Sequence, residues 1–318
     1  MEIKKKNILI TGGAGFIGSH LVERLYKRHK IVIFDNLRRD SLKYIPELKD
    51  HPNVKFIEGD VLDKEGLFLA MKDCDYVVHL AAIAGVSSYY KNPTKTLKVN
   101  ILGTTNLLEC CKELRIKKVI DFSTSEVYGR DAYNVSEDSN HCIGPINDYR
   151  WTYAVSKLAS EQLTLSYGKK YGFKGFSVRP FNIYGPRQTG EGAISNFFRA
   201  VVQKEPIVIY GDGSPIRAWC YISDCIDAIE RLVEDETIEE PSTFNIGNPK
   251  ETCTILWLAR LISYVVGYDI PIIFREVERS EILIRIPNID RAVRVLGYNP
   301  KVNLMEGLRL TYEHFKLL

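Results

Sequence analysis

No apolar run in this 318-residue chain approaches the roughly 20 residues that a bilayer-spanning helix needs, so no transmembrane segment is expected. Basic tracts are missing beyond Lys4-Lys5-Lys6, and the formal net charge of +3 is spread along the sequence. Nothing therefore favours a nucleic-acid partner. The seven cysteines (74, 110, 111, 142, 220, 225 and 253) form an odd set without CxxC spacing. That argues against a disulfide framework and against a metal site, and predicts buried reduced thiols. Internal repeats and low-complexity linkers are absent too. Met1 is followed almost at once by a strand-like segment, so no signal peptide and a cytoplasmic setting are expected. What remains is 45% hydrophobic and 26% charged, enough for one large domain or two modest ones.

The first informative stretch is Asn7-Ile8-Leu9-Ile10, a short apolar run that reads as a buried strand. It leads into Thr11-Gly12-Gly13-Ala14-Gly15-Phe16-Ile17-Gly18 and then the amphipathic Ser19–Leu25 segment. Strand, glycine turn and helix in that order form the context a dinucleotide fingerprint requires. Gly12, Gly15 and Gly18 allow the tight turn, close approach to a pyrophosphate and close helix packing. A second strand, Ile31–Phe34, ends at Asp35, 17 residues after Gly18. A carboxylate there accepts from both ribose hydroxyls and repels a 2′-phosphate, favouring NAD over NADP. Arg38 and Arg39 are expected on a solvated loop.

Tyr153 and Lys157 are four residues apart, so on a helix their side chains emerge on one face. A free phenol, with a pKa of about 10, is a weak base at neutral pH, and a neighbouring ammonium would favour the phenolate. Upstream stands Ser123-Thr124-Ser125-Glu126-Val127-Tyr128-Gly129. A Thr124 hydroxyl nearby would hold an alcohol oxygen that loses its proton while a cofactor takes the hydride.

Strand-helix alternation continues through Val54–Ile57, Tyr76–His79, Val119–Phe122 and Gly175–Val178. It predicts an α/β fold, a doubly wound parallel Rossmann sheet whose ligands lie at the strand C-terminal ends. Asp60 and Val61 at one such end would contact adenine; His79 reads as structural. After Gly185 the chain becomes loop-rich, with helices expected at 193–204, 224–234 and 255–266. Residues 1–182, with later returns near 219–228 and 244–248, form the predicted dinucleotide domain. Residues 183–318 form a smaller, interleaved lobe for substrate.

Together the Thr11–Gly18 loop, Asp60-Val61, Leu80-Ala81-Ala82, Ser123-Thr124-Ser125, the Tyr153/Lys157 pair, Asn182 with Gly185-Pro186-Arg187, and Tyr210-Gly211-Asp212-Gly213 resemble the extended short-chain dehydrogenase/reductase family of nucleotide-sugar epimerases, dehydratases and decarboxylases. The resemblance implies a bound NAD that oxidises a sugar C4 hydroxyl, with Tyr153 as base and Thr124 holding the oxygen. Lys157 would bind the nicotinamide ribose and tune Tyr153. It extends the cofactor set to Phe16, Ile17, Asn36, Leu80, Ala81, Ala82, Asn100 and Ser123. The second lobe would hold the nucleoside diphosphate of a UDP-sugar, through the Ile207–Tyr210 backbone around Ile209, Asn182, Arg217 and Arg187. For both arginines a surface ion pair is the alternative.

Glu126 discriminates among reactions. Ser125-Glu126, Gly144–Asn147 with Arg150-Trp151-Thr152-Tyr153, the Tyr89–Pro93 loop and Arg285-Ile286-Pro287-Asn288-Ile289 resemble UDP-glucuronate decarboxylases. In that reading Glu126 assists at C5 or the carboxylate and Arg285 is a proton donor or carboxylate partner. Gly85-Val86 and the apolar Ile282-Leu283-Ile284 depart from the decarboxylase pattern. Dehydration at C5/C6 and plain 4-epimerisation stay open, as do a non-catalytic NAD-binding module and an ordinary alcohol dehydrogenase. A homodimer is expected through helices around 96–114 and 154–171, with intramolecular core as the alternative role for Cys110-Cys111.

Overall fold

Ile8, Leu9 and Ile10 have no solvent exposure because their strand, Asn7–Thr11, lies inside a seven-stranded sheet. The computed structural model describes residues 4–238, 242–276 and 281–318. Across the sheet the order is Ser242–Ile246, Lys174–Pro180, Lys118–Phe122, Tyr76–His79, Asn7–Thr11, Lys30–Asp35, Val54–Glu58, every neighbouring pair parallel. Parallel strands covered on both faces read as continuous apolar runs, which is how their sequences are written.

The chain winds outward from Asn7–Thr11 through Lys30–Asp35 to Val54–Glu58, then crosses back to Tyr76–His79 on the other side. That reversal opens a crevice at the strand C-termini. Helices Phe16–Leu25 and Ile222–Glu234 pack together, and Gly103–Leu114 packs against Lys64–Met71 and Thr152–Tyr171. Cys110 and Cys111 are fully buried in the latter layer with Leu107 and Leu108. All seven cysteines are free, and Cys142 is exposed, in contrast to the buried thiols expected.

Smaller sheets build the second side of the crevice. One has the order Thr252–Thr254, Ile216–Ala218, Ile284–Pro287, Asp131–Val135. Its parallel register sets Arg217 opposite Arg285. Another pairs Ile207–Tyr210 with Ile272–Arg275. The apolar residues before Arg285 have a packing reason, since buried Ile282 joins Trp151 and Ala154 in a small core. Among the described residues no helix is long and apolar enough to cross a membrane, and no acid, histidine and cysteine cluster could hold a metal.

Candidate active site

The glycine turn is tight enough to exclude side chains. Gly12 has φ +70° and a Cβ there would lie 2.7 Å from the Ala81 nitrogen; at Gly18 it would lie 2.3 Å from the Gly12 carbonyl oxygen. This bare backbone faces the start of helix Phe16–Leu25, whose first amides attract phosphate. Asp35 accepts from the amides of Ala14 (3.0 Å) and Leu37 (2.8 Å), which fixes its carboxylate at the crevice wall. Burial pushes its pKa up while those amides oppose the shift. Asn36 donates to Asp60 at 3.3 Å. A cleft of about 1450 Å³, open mouth included, is lined by Gly12, Gly15, Phe16, Ile17, Gly18, Asp35, Asn36, Asp60, Val61, Leu80, Ala81, Ala82, Ser123 and Tyr153. A cradle that any Cβ at 12 or 18 would fill, beside a helix N-terminus, fits a pyrophosphate-bearing dinucleotide.

Three of the expected residues make contacts that the sequence did not show. Arg39 does not lie on a solvated loop: its guanidinium donates to the Ala84 carbonyl at 2.8 Å and lines the cleft. The glycines at 85 and 190 make room for it, since a Cβ on either would approach its nitrogens to 3.0 and 2.9 Å. Asn100 is buried. Its amide is spent on Ile83 N (2.8 Å), Ile83 O (3.1 Å) and the Ser156 hydroxyl (2.9 Å), so it braces the wall from behind. Arg187, at φ +64°, is held by Glu23 and His20 of the first helix, and one of its terminal nitrogens is buried without a hydrogen-bond partner among the described residues. Burial and that guanidinium push the His20 pKa down to about 3. His79 is structural, bridging the Thr11 and Thr104 hydroxyls at 2.7 and 3.0 Å.

At the other end of the cleft, Tyr153 and Lys157 project from helix Thr152–Tyr171. Asp148 caps the preceding turn by accepting from the Arg150 amide at 2.8 Å. The Thr124 hydroxyl, which acts on the Tyr153 phenol, accepts from the Glu126 amide at 3.2 Å. Tyr89 stacks on Tyr153 with ring centroids 6.2 Å apart and an interplanar angle of 8°. Contrary to the expected depression, burial holds the phenol above its usual pKa, and Glu126 and Asp121 add to that; Arg39 and Thr124 oppose it. Lys157 stands 3.7 Å from Asp121, a carboxylate at the strand end below it.

Beyond Tyr153 lies a buried charge cluster. Arg150 grips Glu126 with both terminal nitrogens, at 2.6 and 3.2 Å, and donates to the Tyr89 hydroxyl at 2.6 Å. Arg285 approaches Glu126 to 3.6 Å. Burial opposes Glu126 ionisation, but Arg150 and Arg285 hold its pKa below the usual carboxylate range. Two nitrogens of Arg285 are buried without a hydrogen-bond partner among the described residues. Arg217 is anchored on the Ile282 and Ile216 carbonyls at 2.8 and 2.9 Å, and burial, with Arg285 adding, pushes its pKa down to about 9. Two guanidiniums thus contact one carboxylate, and Arg217, set opposite Arg285, adds a third charge nearby, with Glu281 acting on Arg217.

The fold therefore brings Thr124, Ser125, Glu126, Tyr89, Tyr153, Lys157, Arg217 and Arg285 to one end of the cleft. Asn182, with φ +43°, instead holds the Ala218 carbonyl at 2.8 Å, and the Ile209 side chain is buried inside its lobe. Sequence reasoning missed Arg150 as a functional residue, although its place three before Tyr153 on a helical path was a usable signal. Arg39 and Asp121 carried no comparable signal.

Residues 8–247 match the family described as NAD dependent epimerase/dehydratase. The chain is 36% identical over 322 residues to the UDP-N-acetyl-alpha-D-glucosaminuronate decarboxylase of Bacillus cytotoxicus, covering 98% of each. It is 35% identical to UDP-glucuronic acid decarboxylase 6 of Arabidopsis thaliana over 98% of this chain and 89% of that one. The solved UDP-glucuronic acid 4-epimerase from Bacillus cereus, in complex with UDP-glucuronic acid and NAD, superimposes with a TM-score of 0.90 at 33% identity, covering 98% of this chain and 99% of that one. Glycine cradle, Tyr153/Lys157 helix and near full-length relatives agree, and the chain belongs to the NAD-dependent epimerase/dehydratase family of extended short-chain dehydrogenases.

Proposed function

We propose that this protein is a decarboxylase of a UDP-linked hexuronate, with UDP-glucuronate as its first substrate. The observation that carries the reading is the pair Arg150 and Arg285 on Glu126, with partnerless Arg285 nitrogens beyond the catalytic tyrosine. A buried cationic excess of this kind suits a sugar whose C6 is a carboxylate.

Tyr153 removes the proton from the C4 hydroxyl, and Thr124 holds that oxygen in place. NAD, when bound along the glycine cradle, would supply the hydride acceptor, and its reduced form would supply the hydride for any later return. The resulting 4-ketone is β to the C6 carboxylate. When the C5–C6 bond breaks, its electron pair passes to the C4 oxygen and carbon dioxide leaves. Glu126 and Arg285 border the place where C5 must then be protonated, and the charge of Arg285 holds the carboxylate beforehand. Arg217 meets the diphosphate, and the backbone around Ile209 meets the uracil. Residues 1–182 serve the dinucleotide and 183–318 the sugar nucleotide, with strand Ser242–Ile246 lent back to the sheet.

We also propose a homodimer through helices Gly103–Leu114 and Thr152–Tyr171. Supporting it, Leu102 and Tyr171 at their ends are 46% and 38% exposed. Cys110 and Cys111 face the core and take no part. Free thiols support a reducing, cytoplasmic setting.

The test is product mass after incubation with NAD and, separately, UDP-glucuronate, UDP-glucose and UDP-N-acetylglucosamine. Loss of carbon dioxide from the first is expected. Loss of water from either neutral sugar would replace decarboxylation by elimination. An isomer of unchanged mass would make the protein an epimerase, like the Bacillus cereus structure it resembles.

A further inference from the structure

Asp121 occupies an unusual place for a carboxylate. It lies in strand Lys118–Phe122, in the interior of the sheet, with no solvent exposure. Neither of its oxygens has a hydrogen-bond partner among the described residues, and the Lys157 ammonium stands 3.7 Å from one of them. A buried carboxylate without hydrogen bonds is costly, and an apolar side chain would fill a strand position there without that cost. The residue is explained only by the charge above it.

The surroundings leave Lys157 as its counter-charge. Across the neighbouring strands its register partners are His79 and Ser177. His79 is committed to Thr11 and Thr104, and burial with Lys157 pushes its pKa down to about 3, so it is neutral. From the overlying helix come Lys157 and Glu161, and Glu161 is already held by Arg179 at 3.0 Å and Thr243 at 3.1 Å.

We infer that Asp121 is a positioning residue for the reaction: a buried counter-ion that fixes the Lys157 ammonium and sets the pH at which Tyr153 serves as base. This rests on the reading of Tyr153 and Lys157 given above. Burial raises the Asp121 carboxyl to about 6, Lys157 opposing and Glu161 adding to the rise. Above that pH its negative charge works against the Tyr153 phenolate. Glu126 acts on Tyr153 in the same sense and Arg39 in the opposite one, and a change at 121 leaves both in place. With Lys157 retained beside Tyr153, loss of the Asp121 charge makes Tyr153 more acidic.

The decisive measurement is the titration of Tyr153 itself in NAD-loaded protein. It is read as the difference in phenolate absorbance between protein with Tyr153 and its Tyr153→Phe form, with and without Asp121→Asn. The near-isosteric amide should lower the midpoint by about one pH unit. A midpoint that stays unmoved or rises in a folded variant would overturn the inference. Should Asp121→Asn fail to fold, Asp121→Ser, matched in size to Ser177, takes its place with the same expectation. The pH profile of kcat/KM for UDP-glucuronate should shift in parallel, whereas a purely structural role would lower kcat at an unchanged midpoint. Complete absence of turnover in the wild-type chain would refute the substrate reading, and the absorbance shift would still decide the role of Asp121.

Discussion

Glu126 and Arg150 show what a single pair of side chains can decide. Glu126 was legible in the sequence because it follows a recognisable Ser-Thr-Ser strip. The position of Arg150 near Tyr153 was a signal, but its pairing with Glu126 was not legible, because the contact spans 24 residues and forms only when the turn before helix Thr152–Tyr171 folds against the strand end. Glu126→Gln should leave C4 oxidation detectable, as reduced NAD, and stop release of carbon dioxide. Arg150→Met should lower turnover at least about tenfold, since a buried ion-pair partner is lost. The same variant has a pH signature. With Arg150 present the folded carboxyl is held below its unfolded value, so Glu126 stabilises the protein above the usual carboxylate range and that contribution is lost on acidification. With Arg150 removed only Arg285 and Arg217 oppose burial, and the folded pKa rises. Urea unfolding should then show the variant regaining stability relative to wild type as pH falls through the carboxylate range.

Elements differ in how far the sequence exposes them. The central strands and glycine turn were readable, because apolar runs and fixed glycine spacing are local signals. Strands Asp131–Val135, Ile216–Ala218 and Ile284–Pro287 were not, being short, mixed in polarity and paired with distant segments. Yet their register is what aligns Arg217 with Arg285. Gly18→Ala should weaken NAD binding at least about tenfold by calorimetry, because its Cβ would meet the Gly12 carbonyl and open the turn. Another link invisible in sequence is Lys118, whose buried ammonium donates to the carbonyls of Leu232, Val233 and Asp235 at 2.9, 3.2 and 3.1 Å. It completes the C-terminus of helix Ile222–Glu234 from the middle of the sheet. Lys118→Met should cost about 1–3 kcal/mol in urea unfolding while leaving KM unchanged.

Over the whole molecule, contacts between early and late segments hold the crevice walls in place. Arg24 reaches Asp227 and Glu230 at 2.6 and 2.7 Å, and Arg28 reaches Glu234 at 2.9 Å. These partly exposed pairs are worth about 0–1 kcal/mol each. Arg187 is different, being buried against the first helix. Arg187→Ala should therefore lower the thermal midpoint with little change in KM for the sugar nucleotide. Arg217→Ala should do the reverse, raising KM about tenfold or more. Equal effects on KM would return Arg187 to the diphosphate.

The last strand to join the sheet, Ser242–Ile246, also constrains how the protein can be made. Lys174–Pro180 must pair with it on one side and Lys118–Phe122 on the other. Phe176 and Val178, fully buried in the finished molecule, leave the ribosome well before Phe244 exists to cover that edge. Until then the nascent chain presents an open, apolar template for strand addition by its neighbours. Translation pauses or truncations before residue 242 should therefore yield insoluble protein, and chaperone demand should peak while the intervening segment is being synthesised.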